Sequence, residues 1–218
     1  MESTSKNNWV TVEKTIDPSN IKIPKLYEGC IESVLVLEKD IKQRIWDLTE
    51  EIAKHYGDRP YVIVVVLKGS FLVFSEMYER LMEIYSSGRY NNKIVPEFIR
   101  LRNLRNESEM NEIIMKGVNE LEIEGKEVIL IEDIIESGAS LKTVLKVIHE
   151  TKKPKDVKIF SLFIKKDRPQ FDFNLDYVGF EIPNKFCVGY GVDYNEKFRD
   201  LYSLCVINQH GLDKFKSE

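Results

Sequence analysis

Val128-Ile129-Leu130-Ile131-Glu132-Asp133-Ile134-Ile135-Glu136-Ser137-Gly138-Ala139-Ser140 runs from an unbroken aliphatic segment through two adjacent acids into a loop of small residues. A short apolar run of this kind is expected as a strand covered on both faces, as in a parallel sheet. Beyond the loop, Leu141, Val144, Leu145 and Ile148 recur at helical spacing, so the segment predicts strand, loop and helix in succession. Adjacent carboxylates at a strand end suit ribose hydroxyls or a hydrated Mg2+ ion, while small residues let backbone N–H groups and a helix N-terminus surround a phosphate. Ser137 and Ser140 add hydroxyl donors. From these residues alone an alternative stays open, with Glu132 and Asp133 as solvated strand-end charges and Ser140 as the N-cap of a helix starting at Leu141.

The same alternation extends outward. Upstream, Ile41, Ile45, Leu48 and Ile52 predict an amphipathic helix over 38–56. A β-branched run at 62–67 predicts a buried strand, and Phe74, Met77, Tyr78 and Leu81 mark the helix after it. Downstream, a strand is expected at 157–164, after Pro154. Strands alternating with helices predict an α/β fold with an open, mostly parallel sheet, whose ligands bind beyond the carboxyl ends of the strands. At 218 residues, one domain is expected. Residues 1–25 are polar and interrupted by Pro18 and Pro24, and are expected as an N-terminal arm without chemistry. The polar, Pro-free stretch at 102–125 suits either a lid loop or a hairpin.

Composition narrows the function classes. Lys and Arg total 32 against 36 Asp and Glu, a formal net charge of -4 with the signs mixed along the chain, which argues against a nucleic-acid partner. No apolar run approaches the ~20 residues needed to span a bilayer and no secretory pattern opens the chain, so no membrane partner and a cytoplasmic location are expected. Cys30, Cys187 and Cys205 are far apart in apolar surroundings and suit reduced packing thiols. His55, His149 and His210 lack the spacing of a metal site or of a base paired with a nucleophile.

The acid pair and small-residue loop resemble the signature that binds phosphoribosyl diphosphate in type I phosphoribosyltransferases. Further stretches resemble the hypoxanthine-guanine phosphoribosyltransferases. These are Leu67-Lys68-Gly69-Ser70, Lys165, and the block Val178-Gly179-Phe180-Glu181-Ile182-Pro183-Asn184-Lys185-Phe186-Cys187-Val188-Gly189-Tyr190-Gly191-Val192-Asp193-Tyr194-Asn195-Glu196-Lys197-Phe198-Arg199-Asp200-Leu201. The similarity runs from about Ile23 to the C-terminus, and this last block is its most specific part.

The resemblance implies the type I phosphoribosyltransferase fold, with helices flanking the sheet, a small hood and a flexible lid loop. It implies Mg2+ as cofactor and a purine base, phosphoribosyl diphosphate and IMP or GMP as ligands. The implied reaction displaces diphosphate from the ribose by a purine nitrogen. A homodimer or homotetramer is implied by the same analogy. Lys165 would hold the purine 6-oxo group, Phe186 would stack on the ring, and the Cys187 backbone and Asp193 would lie nearby. Lys68 and Gly69 would form the diphosphate loop with a cis peptide after Leu67, and Arg199 would pair with the leaving diphosphate. Ser137, Gly138, Ala139 and Ser140 would cradle the phosphate, and Glu132, Asp133 and Asp193 would serve the metal. Glu136 would manage the proton at the purine N7, a general acid-base contribution of ~10² to 10⁴ in rate.

Three departures cluster around the chemistry. The family usually has Asp where this chain has Glu136, which sets the carboxylate one methylene, roughly 1.5 Å, farther from the backbone. Its Thr-Gly-Lys-Thr loop is here Ser137-Gly138-Ala139-Ser140, and its Ser-Tyr pair in the lid is here Asn103-Leu104. Binding is therefore expected to be retained more securely than turnover. Two functions follow as expectations, a purine salvage enzyme with reduced activity or a weakly catalytic nucleotide-binding paralogue or regulatory subunit.

Overall fold

The computed structural model describes residues 8–104, 112–167 and 171–216, apart from the side chains at 102–104 and 112–113. In chain order the strands and helices are β1 (Val10–Thr11), β2 (Ile31–Val36), α1 (Glu38–Tyr56), β3 (Tyr61–Leu67), α2 (Phe71–Ser86), β4 (Pro96–Leu104) and β5 (Glu112–Lys116). There follow β6 (Glu127–Ile135), α3 (Ala139–Lys152), β7 (Asp156–Lys165), β8 (Tyr177–Ile182), β9 (Cys187–Val188), β10 (Leu204–Ile207) and α4 (Gln209–Lys214).

Seven strands form the main sheet in the order β1-β8-β7-β6-β3-β4-β5. Its pairings are parallel except for the edge pair of β4 and β5. The apolar run in β3 explains why this sheet is covered on both sides. Ile63 and Val65 pack with Ile45, Ile52, Met77 and Leu81 of α1 and α2. Val62, Val64 and Val66 point the other way and pack with Leu141, Val144 and Ile148 of α3. Alternate side chains of one strand thus feed two cores, which only a continuous apolar run can supply.

Helix α1 spans the predicted 38–56. Helix α3 starts at Ala139, two residues before the Leu141 start that a Ser140 cap requires. Its N-cap is Gly138 at φ 74, a left-handed conformation open to glycine at little cost, so the small-residue loop turns directly into the helix.

The arm does more than cover surface. Val10 and Thr11 pair with Phe180 and Glu181 to make an edge strand of the main sheet, and Ile16 bridges Val34 in β2. Within and beside 102–125, β4 and β5 pair antiparallel, from Arg100 and Lys116 to Leu104 and Glu112. The side chains of Asn103 and Leu104 lie outside the described residues, as does the stretch 105–111.

A second, antiparallel sheet of β2, β10 and β9 forms a hood. Its core contains Tyr27, Cys30, Val34, Val188, Phe198 and Cys205. All three cysteines are free and buried. No helix among the described residues is long and apolar enough to cross a membrane.

Candidate active site

Strands β7, β6 and β3 lie side by side, so their carboxyl ends bring three separate segments to one edge of the sheet. Lys165 ends β7, Glu132 and Asp133 lie near the end of β6, and Lys68 and Gly69 follow β3.

The Leu67–Lys68 peptide is cis, the geometry expected there. Gly69 lies between Asp133 and Gly191, packed so closely that neither glycine has room for a side chain. A β-carbon on it would stand 1.8 Å from Asp133 Oδ2, and its carbonyl oxygen would stand 2.0 Å from a β-carbon on Gly191. Ser70, fully buried, donates its hydroxyl to the Ile131 carbonyl at 3.2 Å and ties this loop to β6.

Glu132 is 8% exposed, and burial together with the neighbouring Asp133 charge raises its pKa well above the carboxylate range. Asp133 is pushed up to about 6, chiefly by desolvation. A cation would offset the burial of either desolvated carboxyl group, Glu132 at the cavity before α3 and Asp133 against Gly69. Among the described residues no cluster of three or more His, Cys, Asp or Glu forms a closed metal site. A single carboxylate of this kind fits Mg2+, which is typically held by one or two carboxylates with the rest of its shell from water and substrate oxygens.

At the end of β6, Glu132 and residues 134–141 line a cavity of about 250 Å³. Ser137 accepts a hydrogen bond from the Ala139 N–H on its hydroxyl at 3.4 Å, and the Gly138 carbonyl receives the Lys142 N–H at 2.9 Å. A Gly138 β-carbon would stand 2.5 Å from the Phe171 ring, and Phe171 stacks on Phe173 with centroids 4.8 Å apart. This aromatic pair backs the small-residue loop. Nothing in the sequence marked it, because it reaches the loop from beyond β7.

Lys165 is 4% exposed. Its amine donates to the Lys185 carbonyl and to Cys187 Sγ at 3.4 Å, and Glu136 Oε1 lies 3.6 Å away. Burial pushes the Cys187 thiol pKa up, so it stays protonated beside the lysine. Phe186 follows Lys185 and leaves its ring 52% exposed, set edge-on against Tyr194. A buried donor is therefore tied to the backbone next to an exposed aromatic residue.

The turn after β9 carries the remaining residues. Arg199 donates to Asp193 Oδ1 at 2.7 Å and to the Gly191 carbonyl at 2.7 Å. Asp193 also receives the Glu196 N–H at 2.7 Å. Asp193 thus packs with Arg199, and it influences the acid pair through space as a like charge that raises the Asp133 pKa. Tyr27 holds this turn to the hood, donating its hydroxyl to Asp200 at 2.7 Å and accepting the Phe198 N–H at 3.0 Å. Glu196, unassigned from the sequence, pairs with Lys68 at 2.7 Å.

Comparison with known proteins accords with this arrangement. Residues 35–195 match the Phosphoribosyl transferase domain family. The chain is similar to the Homo sapiens "Phosphoribosyltransferase domain-containing protein 1", 38% identical over 194 residues covering 88% of this chain and 86% of the relative. It is also similar to Homo sapiens hypoxanthine-guanine phosphoribosyltransferase, 34% identical over 196 residues and 89% of each chain. Among solved structures, hypoxanthine-guanine phosphoribosyltransferase from Schistosoma mansoni in complex with IMP superposes with a TM-score of 0.78, at 28% identity, over 95% of this chain and 99% of that one.

Proposed function

Because the chain belongs to the phosphoribosyltransferase family, we propose that it transfers the phosphoribosyl group of phosphoribosyl diphosphate to hypoxanthine or guanine, giving IMP or GMP and diphosphate. The observation that carries the choice of base is buried Lys165, whose amine donates beside the exposed Phe186 ring and suits a flat base bearing a 6-oxo acceptor.

Each subsite has one task. Lys165 and Phe186 orient the base, and the loop from Ser137 to Ser140 holds the ribose phosphate by backbone N–H groups. Glu132 and Asp133 bind the ribose hydroxyls and Mg2+, with Asp193 behind them. Mg2+ would supply charge neutralisation at the departing diphosphate. Lys68, the Gly69 backbone and Arg199 would receive that diphosphate, a preorganised electrostatic contribution to the transition state. Glu136 would take the proton at the purine N7. The chain acts as one domain, with the stretch 102–125 as the lid that excludes water during transfer.

The contact of Glu136 with Lys165 at 3.6 Å favours a second role, a nucleotide-binding paralogue of low turnover, since this carboxylate is drawn to the base-holding lysine. The test is a Mg2+-dependent assay with phosphoribosyl diphosphate and hypoxanthine, guanine or xanthine, run beside calorimetric binding of GMP. Nucleotide formation supports the enzyme and identifies its base. GMP binding without product supports the paralogue, and absence of both removes the proposed site.

A further inference from the structure

Glu196 places one oxygen, Oε2, against both cations assigned to diphosphate, 2.7 Å from Lys68 Nζ and 3.5 Å from Arg199 Nη2. A single acceptor oxygen shared by an ammonium and a guanidinium is the arrangement that a phosphate oxygen would make there. Lys68 arrives from the end of β3 and Arg199 from the turn beyond β9, so this carboxylate joins side chains from two separate segments. Arg199 also keeps a buried Nε with no acceptor among the described residues, so its guanidinium is not fully committed.

The turn that presents Glu196 is built for it. Asn195 and Glu196 both have positive φ, 48 and 62, a conformation that costs non-glycine residues energy and persists only where the surroundings enforce it. Here the Glu196 N–H donates to Asp193 at 2.7 Å, and the Asn195 side chain donates to the Phe215 carbonyl at 2.8 Å. Lys197 and Tyr194 close the turn through reciprocal backbone bonds. Glu196 therefore reaches Lys68 from a fixed backbone, although the side chains themselves are about half exposed, 44% for Lys68 and 59% for Glu196.

We propose that Glu196 is an internal stand-in for the diphosphate: its carboxylate holds Lys68 and Arg199 together in the free protein and must be displaced when a diphosphate group enters. Glu196 is a positioning residue that acts through the two cations. It opposes diphosphate binding, and it re-forms its contacts as diphosphate leaves. The inference rests on the assignment of Lys68 and Arg199 to diphosphate.

The test is calorimetric binding of inorganic diphosphate with Mg2+ to the full chain and to Glu196→Gln, Glu196→Asp, Lys68→Met and the Lys68→Met/Glu196→Gln double variant. An ion pair this exposed is displaced at modest cost, so Glu196→Gln is expected to bind diphosphate about two- to fivefold tighter. Glu196→Asp, too short to reach Lys68 fully, is expected to fall between. In the Lys68→Met background the gain should shrink or disappear, because the competition runs through that amine. Where turnover is measurable, KM for phosphoribosyl diphosphate should drop by a similar factor with kcat within about twofold. Unchanged or weaker binding by Glu196→Gln overturns the stand-in and makes Glu196 a support for the cations. If the unaltered chain binds no diphosphate, the assignment of Lys68 and Arg199 fails, and the inference with it.

Discussion

Gly69 packs directly beneath the Asp133 carboxylate, so closely that a β-carbon on the glycine would meet Asp133 Oδ2 at 1.8 Å. Its carbonyl in turn abuts Gly191, where an added β-carbon would lie 2.0 Å away. The loop after β3, Asp133 in β6 and the turn after β9 therefore interlock at a point where two of the three partners have no side chain.

Gly69→Ala must push Asp133 aside or lift the loop. Overpacking of this kind costs about 1 to 3 kcal/mol, and a displacement of about 1 Å at reacting groups costs ~10²-fold in rate. Thermal melting and the KM for phosphoribosyl diphosphate should both worsen. A variant that melts and binds like the original chain would show that the loop has slack.

Glu136 is exposed and sits 3.6 Å from Lys165. Shortening it to Asp draws the carboxylate back by about 1.5 Å, toward the position usual in the resembled family. Glu136→Asp, alone or with Asn103→Ser and Leu104→Tyr, is expected to raise the transfer rate by up to ~10²-fold with little change in GMP affinity. Single-turnover rates measured beside GMP calorimetry decide the matter, and a flat or reduced rate would discard the idea of a damaged catalytic pattern.

Lys165 is a buried ammonium proposed to hold the base, so its removal should be felt in binding more than in folding. A hydrogen bond from a charged donor is worth about 1.5 to 3 kcal/mol, and Lys165→Met is accordingly expected to weaken GMP roughly 10- to 100-fold. Melting should change little, because an apolar side chain of similar volume replaces a desolvated charge. Equal GMP affinity in the variant would place the 6-oxo contact elsewhere.

The acid pair makes a metal-dependent contribution testable without turnover. Mg2+ is expected to tighten diphosphate binding by about tenfold or more, roughly 1.4 kcal/mol, and EDTA to reverse it. Asp133→Asn should erase this dependence while leaving the metal-free affinity nearly unchanged. Mg2+ dependence that survives in Asp133→Asn would assign the ion to other groups.

Away from the site, Glu127 joins Lys155 at 2.8 Å and Arg59 at 3.1 Å at the opposite end of β6. The Lys155 hydrogen bond, aided by Arg59, holds its carboxyl below the usual range. A depressed carboxylate stabilises the fold above its unfolded pKa, and that stabilisation is lost as pH falls through the folded value. Glu127→Gln should therefore cost about 0.5 to 1 kcal/mol at pH 7, a small figure because both cations remain in solvent. The difference between the two proteins in urea unfolding should close as the solution is acidified below about pH 4. A difference that persists there would be packing instead of charge.

Much of the scaffold was legible residue by residue. Ile41, Ile45, Leu48 and Ile52 mark α1, and the unbroken run in β3 announces a strand buried on both faces, because these periodicities depend on local chain geometry. The start of α3 was misplaced under the Ser140-cap alternative. A serine before an apolar run is a reasonable N-cap, but the left-handed turn at Gly138 lets the helix begin earlier. The functional segments were visible mainly through family resemblance, since a lysine at a strand end or an Asp-Arg pair is by itself ordinary surface chemistry. Glu196 stayed unassigned although it lay in the quoted block, because its partners Lys68 and Arg199 meet only when β3 and the turn after β9 converge.

By itself the sequence determined the succession of buried strands and amphipathic helices, and it determined that two acids stand toward the end of one of those strands with a small-residue loop after it. Both are consequences of side-chain type at neighbouring positions, where the 2.0 and 3.6 periods act directly. The tertiary structure alone decided that Val10 and Thr11 would complete the main sheet, that 31–36 and 204–207 would build one hood, and that Gly69 would be held between Asp133 and Gly191. Those outcomes depend on strand order and on close packing between segments far apart in the chain. A contact of that kind is selected by the burial of whole faces, and no local pattern encodes it.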